Sequence, residues 1–306
     1  MRIVVHGQQA FGKAVLERLL ERQENIVAVC TAPDKEGKPL DPVKELALEK
    51  GIPVHQPASW KTPESLELMQ SFEADVCIMA YVLLFIPQPV LNAPRLGSFQ
   101  YHPSLLPMHR GPSSINWPIA MGATRTGLTI FWPNEGLDEG PVLMQKECDI
   151  GPDETLADIY FKKLFPMGVD AMIESLDLVK AGTAPKQVQN LDEGSYESWF
   201  GKVQAEIDWS KSAAEVYNTI RAANPQPGAW TTVNGVTLQI FDSRLVDKVE
   251  GEAGVVTEIN DNGILVAAGD HAGILISRVR PAGEAKISAT EYAAASEIKA
   301  GDQLGS

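Results

Sequence analysis

The 306-residue sequence predicts an α/β domain with a mostly parallel sheet, followed by a small β-barrel domain. Three observations carry this. Short apolar runs of β type alternate with stretches of helical period as far as about residue 181, the βαβ pattern that builds parallel sheets. A polar connector over about 183–206 ends the alternation and sets the expected domains at 1–205 and 206–306. Beyond it come a helical stretch and then several short strands separated by turn residues, as in an antiparallel barrel.

Residues 2–7 form an apolar strand ending at Gly7, and Phe11, Val15, Leu16, Leu19 and Leu20 follow at the spacing of an amphipathic helix. A second strand at 26–31 completes a βαβ unit. The turn between them, Gly7-Gln8-Gln9-Ala10-Phe11-Gly12-Lys13-Ala14, fails as a P-loop because Ala14 stands where a hydroxyl would hold magnesium. It lacks the Gly-x-Gly of a dinucleotide site and reads as a glycine-eased turn, with a helix N-terminus on which a phosphate or carboxylate could rest. Helices near 41–50 and 63–72 and strands at 52–55, 75–80 and 97–101 continue the alternation. The apolar stretch Val82-Leu83-Leu84-Phe85-Ile86-Pro87 is, on composition alone, evenly balanced between core packing and the wall of a site.

Ser113 is placed to cap a helix at 114–121, ahead of strands at 127–132 and 141–147. A long helix over 155–181, capped by Asp153, closes the first domain. In the second, a helix at 212–223 precedes an Asn234-Gly235 hairpin signal between 231–233 and 236–240. Strands at 254–259, 263–268 and 273–280 complete it.

The composition, 44% hydrophobic and 22% charged, is that of a globular protein. No window approaches a membrane span, and the N-terminus lacks the apolar core of a secretory signal, so a cytoplasmic protein is expected. Cys30, Cys77 and Cys148 lie in strand-like runs and match no zinc spacing, so buried thiols and no metal are expected. With 40 acidic and 26 basic residues the net charge is -14, and residues 201–306 hold nine Lys/Arg against fourteen Asp/Glu. That balance argues against nucleic acid, since phosphates reward Lys and Arg.

Two stretches carry the chemistry. One is Gln100-Tyr101-His102-Pro103-Ser104-Leu105-Leu106-Pro107, continuing through His109, Arg110 and Gly111. The other is Gly127-Leu128-Thr129-Ile130-Phe131-Trp132 with its loop Glu135-Gly136-Leu137-Asp138-Glu139-Gly140-Pro141. Each is an apolar run ending in polar residues at a Pro- or Gly-rich turn. If the runs are neighbours in one sheet, the His102 imidazole and the Asp138 carboxylate meet at its edge, where open α/β sheets keep their ligands. Singly, each is more often a structural histidine or a turn aspartate. Paired in these motifs, they read as a catalytic dyad. Asp149 and Asp153 lie beyond the next strand, and His6, His55 and His271 sit in contexts that suggest no role.

These motifs resemble the folate-dependent formyltransferases. The finer resemblance, in HisArgGly-x-Ser-x-IleAsnTrp at 109–117, IlePheTrp at 130–132, GlnLysGluCys at 145–148 and LeuPhePro at 164–166, is to the hydrolase domain of 10-formyltetrahydrofolate dehydrogenase. It extends from Met1 to about residue 280. It implies a Rossmann-like first domain, an open, oligonucleotide-fold-like barrel second, and 10-formyltetrahydrofolate as donor substrate. His102, Asp138 and Gln100 become the catalytic candidates. Val82, Leu83, Leu84, Phe85 and Ile86 become the wall of a pterin pocket. Ser104, His109, Arg110, Thr129, Asn134, Glu135, Gly136, Leu137 and Pro141 become further substrate-site candidates, with Thr129 steadying the histidine's surroundings.

The chain departs from the transferases at Gln100, where most have Asn. Gln keeps the amide but moves it by a methylene, and a lost oxyanion donor costs about 2–4 kcal/mol in the barrier. Hydrolysis of 10-formyltetrahydrofolate to formate and tetrahydrofolate is therefore the expected activity. The alternatives are formyl transfer to an amine on a sugar nucleotide, an amino acid or methionyl-tRNA, and folate binding without turnover. The dehydrogenase reaction is not expected, since this stretch holds no carrier or aldehyde dehydrogenase domain. A small-molecule folate is the expected partner, and nothing in the sequence indicates an oligomeric state.

Overall fold

A computed structural model describes residues 1–305, which divide into two compact units. The first comprises Met1–Ser114, Gly127–Cys148 and Phe161–Glu197; the second comprises Ile115–Thr126, Asp149–Tyr160 and the chain from Ser198. Two excursions from the first 205 residues thus belong with the second unit, where the sequence suggests one cut.

In the first unit, β1 (Arg2–Gly7), β2 (Asn25–Cys30), β3 (Val54–His55), β4 (Val76–Ala80), β5 (Ser98–His102), β6 (Arg125–Phe131) and β7 (Val142–Asp149) form one sheet in the order β3-β2-β1-β4-β5-β6-β7. The first five strands are parallel, and β6 is antiparallel to β5. The helices α1 (Gln9–Glu21), α2 (Pro42–Glu49), α3 (Pro63–Ser71) and α4 (Gln88–Leu91) lie between consecutive parallel strands. β4 is buried throughout, as a strand covered on both faces must be. α1 buries Phe11, Val15, Leu16 and Leu19, the stripe its spacing predicts.

Asp41 and Thr62 cap α2 and α3, each followed by a proline in the first turn. The Asp41 carboxylate also accepts from the backbone N–H of Gln9 at 3.0 and 2.9 Å. The chain's own carboxylate thus fills the start of α1, where the sequence left room for an external anion.

The helix expected over 155–181 is in three parts: Leu156–Asp158, a π turn at Ile159–Leu164, and Phe165–Ala181. Pro166 has no N–H for an i−4 bond, and the wider turn just before it carries the chain past that gap. The cap is Thr155, in a capping box with Asp158, whereas Asp153 accepts from the Tyr217 hydroxyl at 2.9 Å. The helix at 114–121 is shorter than expected, Asn116–Ala120, and carries no side-chain cap.

His6, on β1, is buried and packs against the Trp60 ring with centroids 4.8 Å apart. Burial pulls its pKa from 6.5 down to about 4. Between those values the unfolded chain binds a proton that the folded chain refuses. Stability from this group is therefore full above pH 6.5 and falls by up to about 1.4 kcal/mol per unit as pH drops toward 4. Urea titrations of wild type and His6→Phe from pH 7 to 4.5 check this, the difference shifting toward the variant as pH falls.

In the second unit, β8 (Ala229–Val233), β9 (Val236–Ile240), β10 (Ser243–Val246), β11 (Val256–Asn260), β12 (Gly263–Ala267), β13 (Gly273–Ile276), β14 (Arg278–Pro281) and β15 (Ile287–Ser288) form two antiparallel sheets. Their orders are β10-β13-β12-β11 and β15-β14-β9-β8. Asn234 and Gly235, with φ of 50° and 76°, make the β8–β9 turn. The strand expected over 273–280 breaks at Ser277, because the N–H groups of Ser277 and Arg278 both turn to the Asp242 carbonyl (2.9 and 3.2 Å). The chain thereby passes from one sheet to the other. Among the described residues no helix is long and apolar enough to cross a membrane.

Candidate active site

His102 is the last residue of β5, and Gln100, two residues earlier, projects from the same face of the strand. β6 is antiparallel to β5, with Gln100 beside Phe131 and His102 beside Thr129. The two strand ends therefore do not coincide at one edge, as the sequence suggests. The loop after Trp132 instead returns to bring Asp138 to the histidine. Gly140 approaches the Trp132 carbonyl so closely that a Cβ there would lie 1.8 Å from it. Asp138 adopts a left-handed φ of 56°. The buried Gln189 amide donates to the carbonyls of Asp138 (3.0 Å) and Gly140 (2.6 Å), fixing this shape.

His102 Nδ1 lies 3.7 Å from Asp138 Oδ2, with both side chains almost wholly buried. The other ring nitrogen, Nε2, is 3.0 Å from the His109 carbonyl. A carbonyl can only accept, so Nε2 carries a proton and Nδ1 is the atom that faces the carboxylate. Asp138 Oδ2 accepts from the backbone N–H of Gly111 at 2.9 Å. Residues 109–111 thus hold both members of the pair. The Gln100 amide is half-buried and makes no hydrogen bond among the described residues, so it is available to a ligand.

Segment 109–111 is itself held by residues the sequence reading missed. The His109 N–H donates to Ser195 Oγ (2.9 Å), that of Arg110 to the Ser195 carbonyl (3.1 Å), and that of Glu197 to the Arg110 carbonyl (3.1 Å). Gly111 has φ 109°, and a Cβ there would lie 2.3 Å from the Glu197 carbonyl oxygen, so this approach requires glycine. His109 Nδ1 lies 3.2 Å from Glu197 Oε2, and Arg110 pairs with Glu139. His109 and Arg110 are each largely buried against a carboxylate.

Ser104 and Thr129 are fully buried and brace the loop. Ser104 donates to the Met108 carbonyl (2.7 Å). Thr129 Oγ1 donates to the Ser104 carbonyl (2.7 Å) and accepts from the Leu106 N–H (3.0 Å) and the Gln145 amide (2.9 Å). Asn134 is spent on its own turn, accepting from the Gly136 N–H at 3.0 Å. Glu135 and Leu137 are exposed, and Gly136 and Pro141 half-buried, along the same loop.

The stretch at 82–86 leaves β4 next to β5, where Met79 pairs with Gln100. Leu83, Leu84 and Phe85 are 57%, 44% and 54% exposed, while Ile86 is buried in the core and the half-buried Val82 packs against it. Core packing is thereby excluded for the three exposed residues. An apolar ledge instead stands at the C-terminal ends of the parallel strands.

Cys30 and Cys77 are buried and Cys148 is half-buried. Burial pushes Cys77 up to about 12 and Cys30 well above its ordinary value, so neither serves as a nucleophile near neutral pH. Among the described residues no group of three His, Cys, Asp or Glu side chains is placed to hold a metal ion.

Comparison with known proteins shows the family and the fold. A family described as formyl transferase matches residues 1–176, and one described as formyl transferase, C-terminal domain, matches residues 201–297. Cytosolic 10-formyltetrahydrofolate dehydrogenase of Mus musculus is 39% identical over 277 residues, 88% of this chain and 31% of that protein. The chain thus spans about a third of the length of the dehydrogenases it matches. Methionyl-tRNA formyltransferase of Clostridioides difficile (strain 630) is 33% identical over 311 residues, covering 100% of both chains. Two solved structures share the fold. One is a sugar 3N-formyl transferase in the presence of dTDP and 5-N-formyl-THF, with TM-score 0.70, 19% identity, and 93% and 99% of the two chains covered. The other is HypX from Aquifex aeolicus in complex with tetrahydrofolic acid, with TM-score 0.68, 20% identity, and 96% and 47% covered.

Proposed function

Because this chain belongs to the formyl transferase family, we propose that it takes the formyl group of 10-formyltetrahydrofolate and gives it to water, releasing formate and tetrahydrofolate. The observation that carries the proposal is the buried pair His102 Nδ1 and Asp138 Oδ2, 3.7 Å apart, with the unencumbered Gln100 amide on the same strand face.

The chemistry follows from what each group is free to do. Asp138 accepts a proton from water as the water oxygen attacks the formyl carbon. Negative charge develops on the formyl oxygen, and the imidazolium form of His102, with a proton on each ring nitrogen, donates to it from Nδ1 while Nε2 stays on the His109 carbonyl. Gln100 supplies a second donor. The C–N bond to the folate then breaks, the nitrogen receives the proton held by Asp138, and the formic acid released loses its remaining proton to solvent as formate. The ledge at 82–86 takes one face of the pterin, and the 134–141 loop takes the donor near its formyl end. The first unit contains all of these residues.

Transfer to an amine is the second reading, favoured by the end-to-end match to methionyl-tRNA formyltransferase. Against it stand Gln100 in place of Asn and, for tRNA, the acidic balance of residues 201–306.

A crystal structure with 5-formyltetrahydrofolate, an unreactive relative of the donor, tests where the folate sits. The ring is expected against Val82–Ile86 with the formyl end between Gln100, His102 and Asp138. A folate bound elsewhere in the molecule rejects the site.

A further inference from the structure

The second unit carries a group of cations that the proposed reaction does not use. Arg278 and Arg280 lie two residues apart on β14, so both project from one face of the strand while Val279 between them is fully buried. β15 pairs Arg278 with Ser288 and Val279 with Ile287, and the same register continued sets Lys286 opposite Arg280. Lys286 Nζ lies 3.5 Å from the centroid of the Phe241 ring, and the Arg280 guanidinium lies 5.5 Å from the same ring. Arg280 Nε donates to Gln239 Oε1 at 2.6 Å, and the Gln239 amide donates in turn to the Pro227 carbonyl at 3.1 Å. The guanidinium is therefore oriented, with its two terminal nitrogens unused among the described residues.

Charge at this point is out of balance. Asp242 Oδ2 lies 3.8 Å from Arg278, and among the described residues no carboxylate comes within ion-pair distance of Arg280 or Lys286. Desolvation, reinforced by the positive charges of Arg278 and Arg280, pulls the Lys286 ammonium below the usual lysine range, and Asp242 only partly offsets this. Cations held together on one face, in a chain of net charge -14, are stabilised by a bound anion. The ring beneath them keeps the ammonium partly dry, which strengthens a charge-assisted contact.

We infer that Arg278, Arg280 and Lys286 form a binding site for the phosphoryl dianion of a small phosphate monoester. The oriented Arg280 fork offers two parallel N–H donors to two phosphoryl oxygens, the geometry guanidinium groups favour, and Lys286 contributes a point charge from the Phe241 side. Arg278 stands at the flank, tethered by Asp242.

Calorimetric titration of the whole chain with glycerol phosphate and with inorganic phosphate, at low ionic strength, tests the site. One saturable site is expected for both ligands, weakened at least tenfold by Lys286→Met and by Arg280→Gln. Phosphate should raise the thermal midpoint of the wild type and leave that of Lys286→Met unmoved, while formate release by both variants stays at the wild-type level. No saturable binding, or equal binding by wild type and both variants, overturns the site. A short single-stranded RNA is the third arm. If it binds more tightly than either phosphate and loses affinity in the same variants, the patch serves nucleic acid and the small-ligand proposal is wrong.

Discussion

Asp138→Ala and His102→Ala are each expected to lower formate release from 10-formyltetrahydrofolate by about a hundredfold to ten-thousandfold, the range over which a positioned general acid or base acts. The two substitutions differ in their structural cost. His102→Ala removes the donor to the His109 carbonyl, a group with no other assigned task. Asp138→Ala frees the buried Gly111 N–H and should cost about 1–3 kcal/mol of stability as well. Asp138→Asn separates the two effects, because an amide oxygen still accepts from Gly111 yet takes no proton from water. Its stability and folate affinity should stay near wild type while its turnover falls with that of Asp138→Ala. Near-normal formate release by Asp138→Asn in a stopped assay excludes proton acceptance by this carboxylate.

The second large effect is expected from a single methyl group at Gly111. An alanine there meets the Glu197 carbonyl oxygen at 2.3 Å and must hold a φ of 109°. The backbone of 109–111 can relieve that only by parting from 195–197, which removes the supports of both His102 and Asp138 together. A loss of about 2–4 kcal/mol in stability is expected, with turnover falling well beyond it. Gly182→Ala is the matched control. Gly182 also has positive φ, 70°, but a Cβ there meets nothing within 4 Å, so about 1 kcal/mol is the expected cost. Urea unfolding and formate release of the two variants check the difference. Equal effects would show that backbone conformation alone, and not the contact with 195–197, sets the Gly111 penalty.

His102 and Asp138 were legible in the sequence because each sits at a local pattern, an apolar strand running into a Pro- or Gly-rich turn. Their supports were not. Gln189, Ser195 and Glu197 lie in a polar connector, 49 residues or more along the chain from the groups they hold, and no periodicity marks such a contact. Strand direction was equally hidden, since an apolar run such as 127–132 reads the same whether parallel or antiparallel. The π turn before Pro166 and the strand break at Ser277 depend on where backbone N–H groups find acceptors. The Asp242 carbonyl, 35 residues from Ser277, cannot be read from a window around residue 277. The exposure of Leu83, Leu84 and Phe85 shows the complementary limit. Composition left core and ledge equally open, and the place of β4 beside β5 decided for the ledge.

Water and an amine make different demands on the same dyad. Water, at about 55 molar, needs no pocket, whereas an amine gains its advantage only when bound and oriented. The most direct measurement follows formate and tetrahydrofolate together, first with 10-formyltetrahydrofolate alone and then with a panel of amino sugars, amino acids and methionyl-tRNA. Hydrolysis predicts the two products in equal amounts without any acceptor, and no stimulation by any member of the panel. An acceptor that raises turnover a hundredfold and suppresses formate would make the protein a transferase and contradict this account.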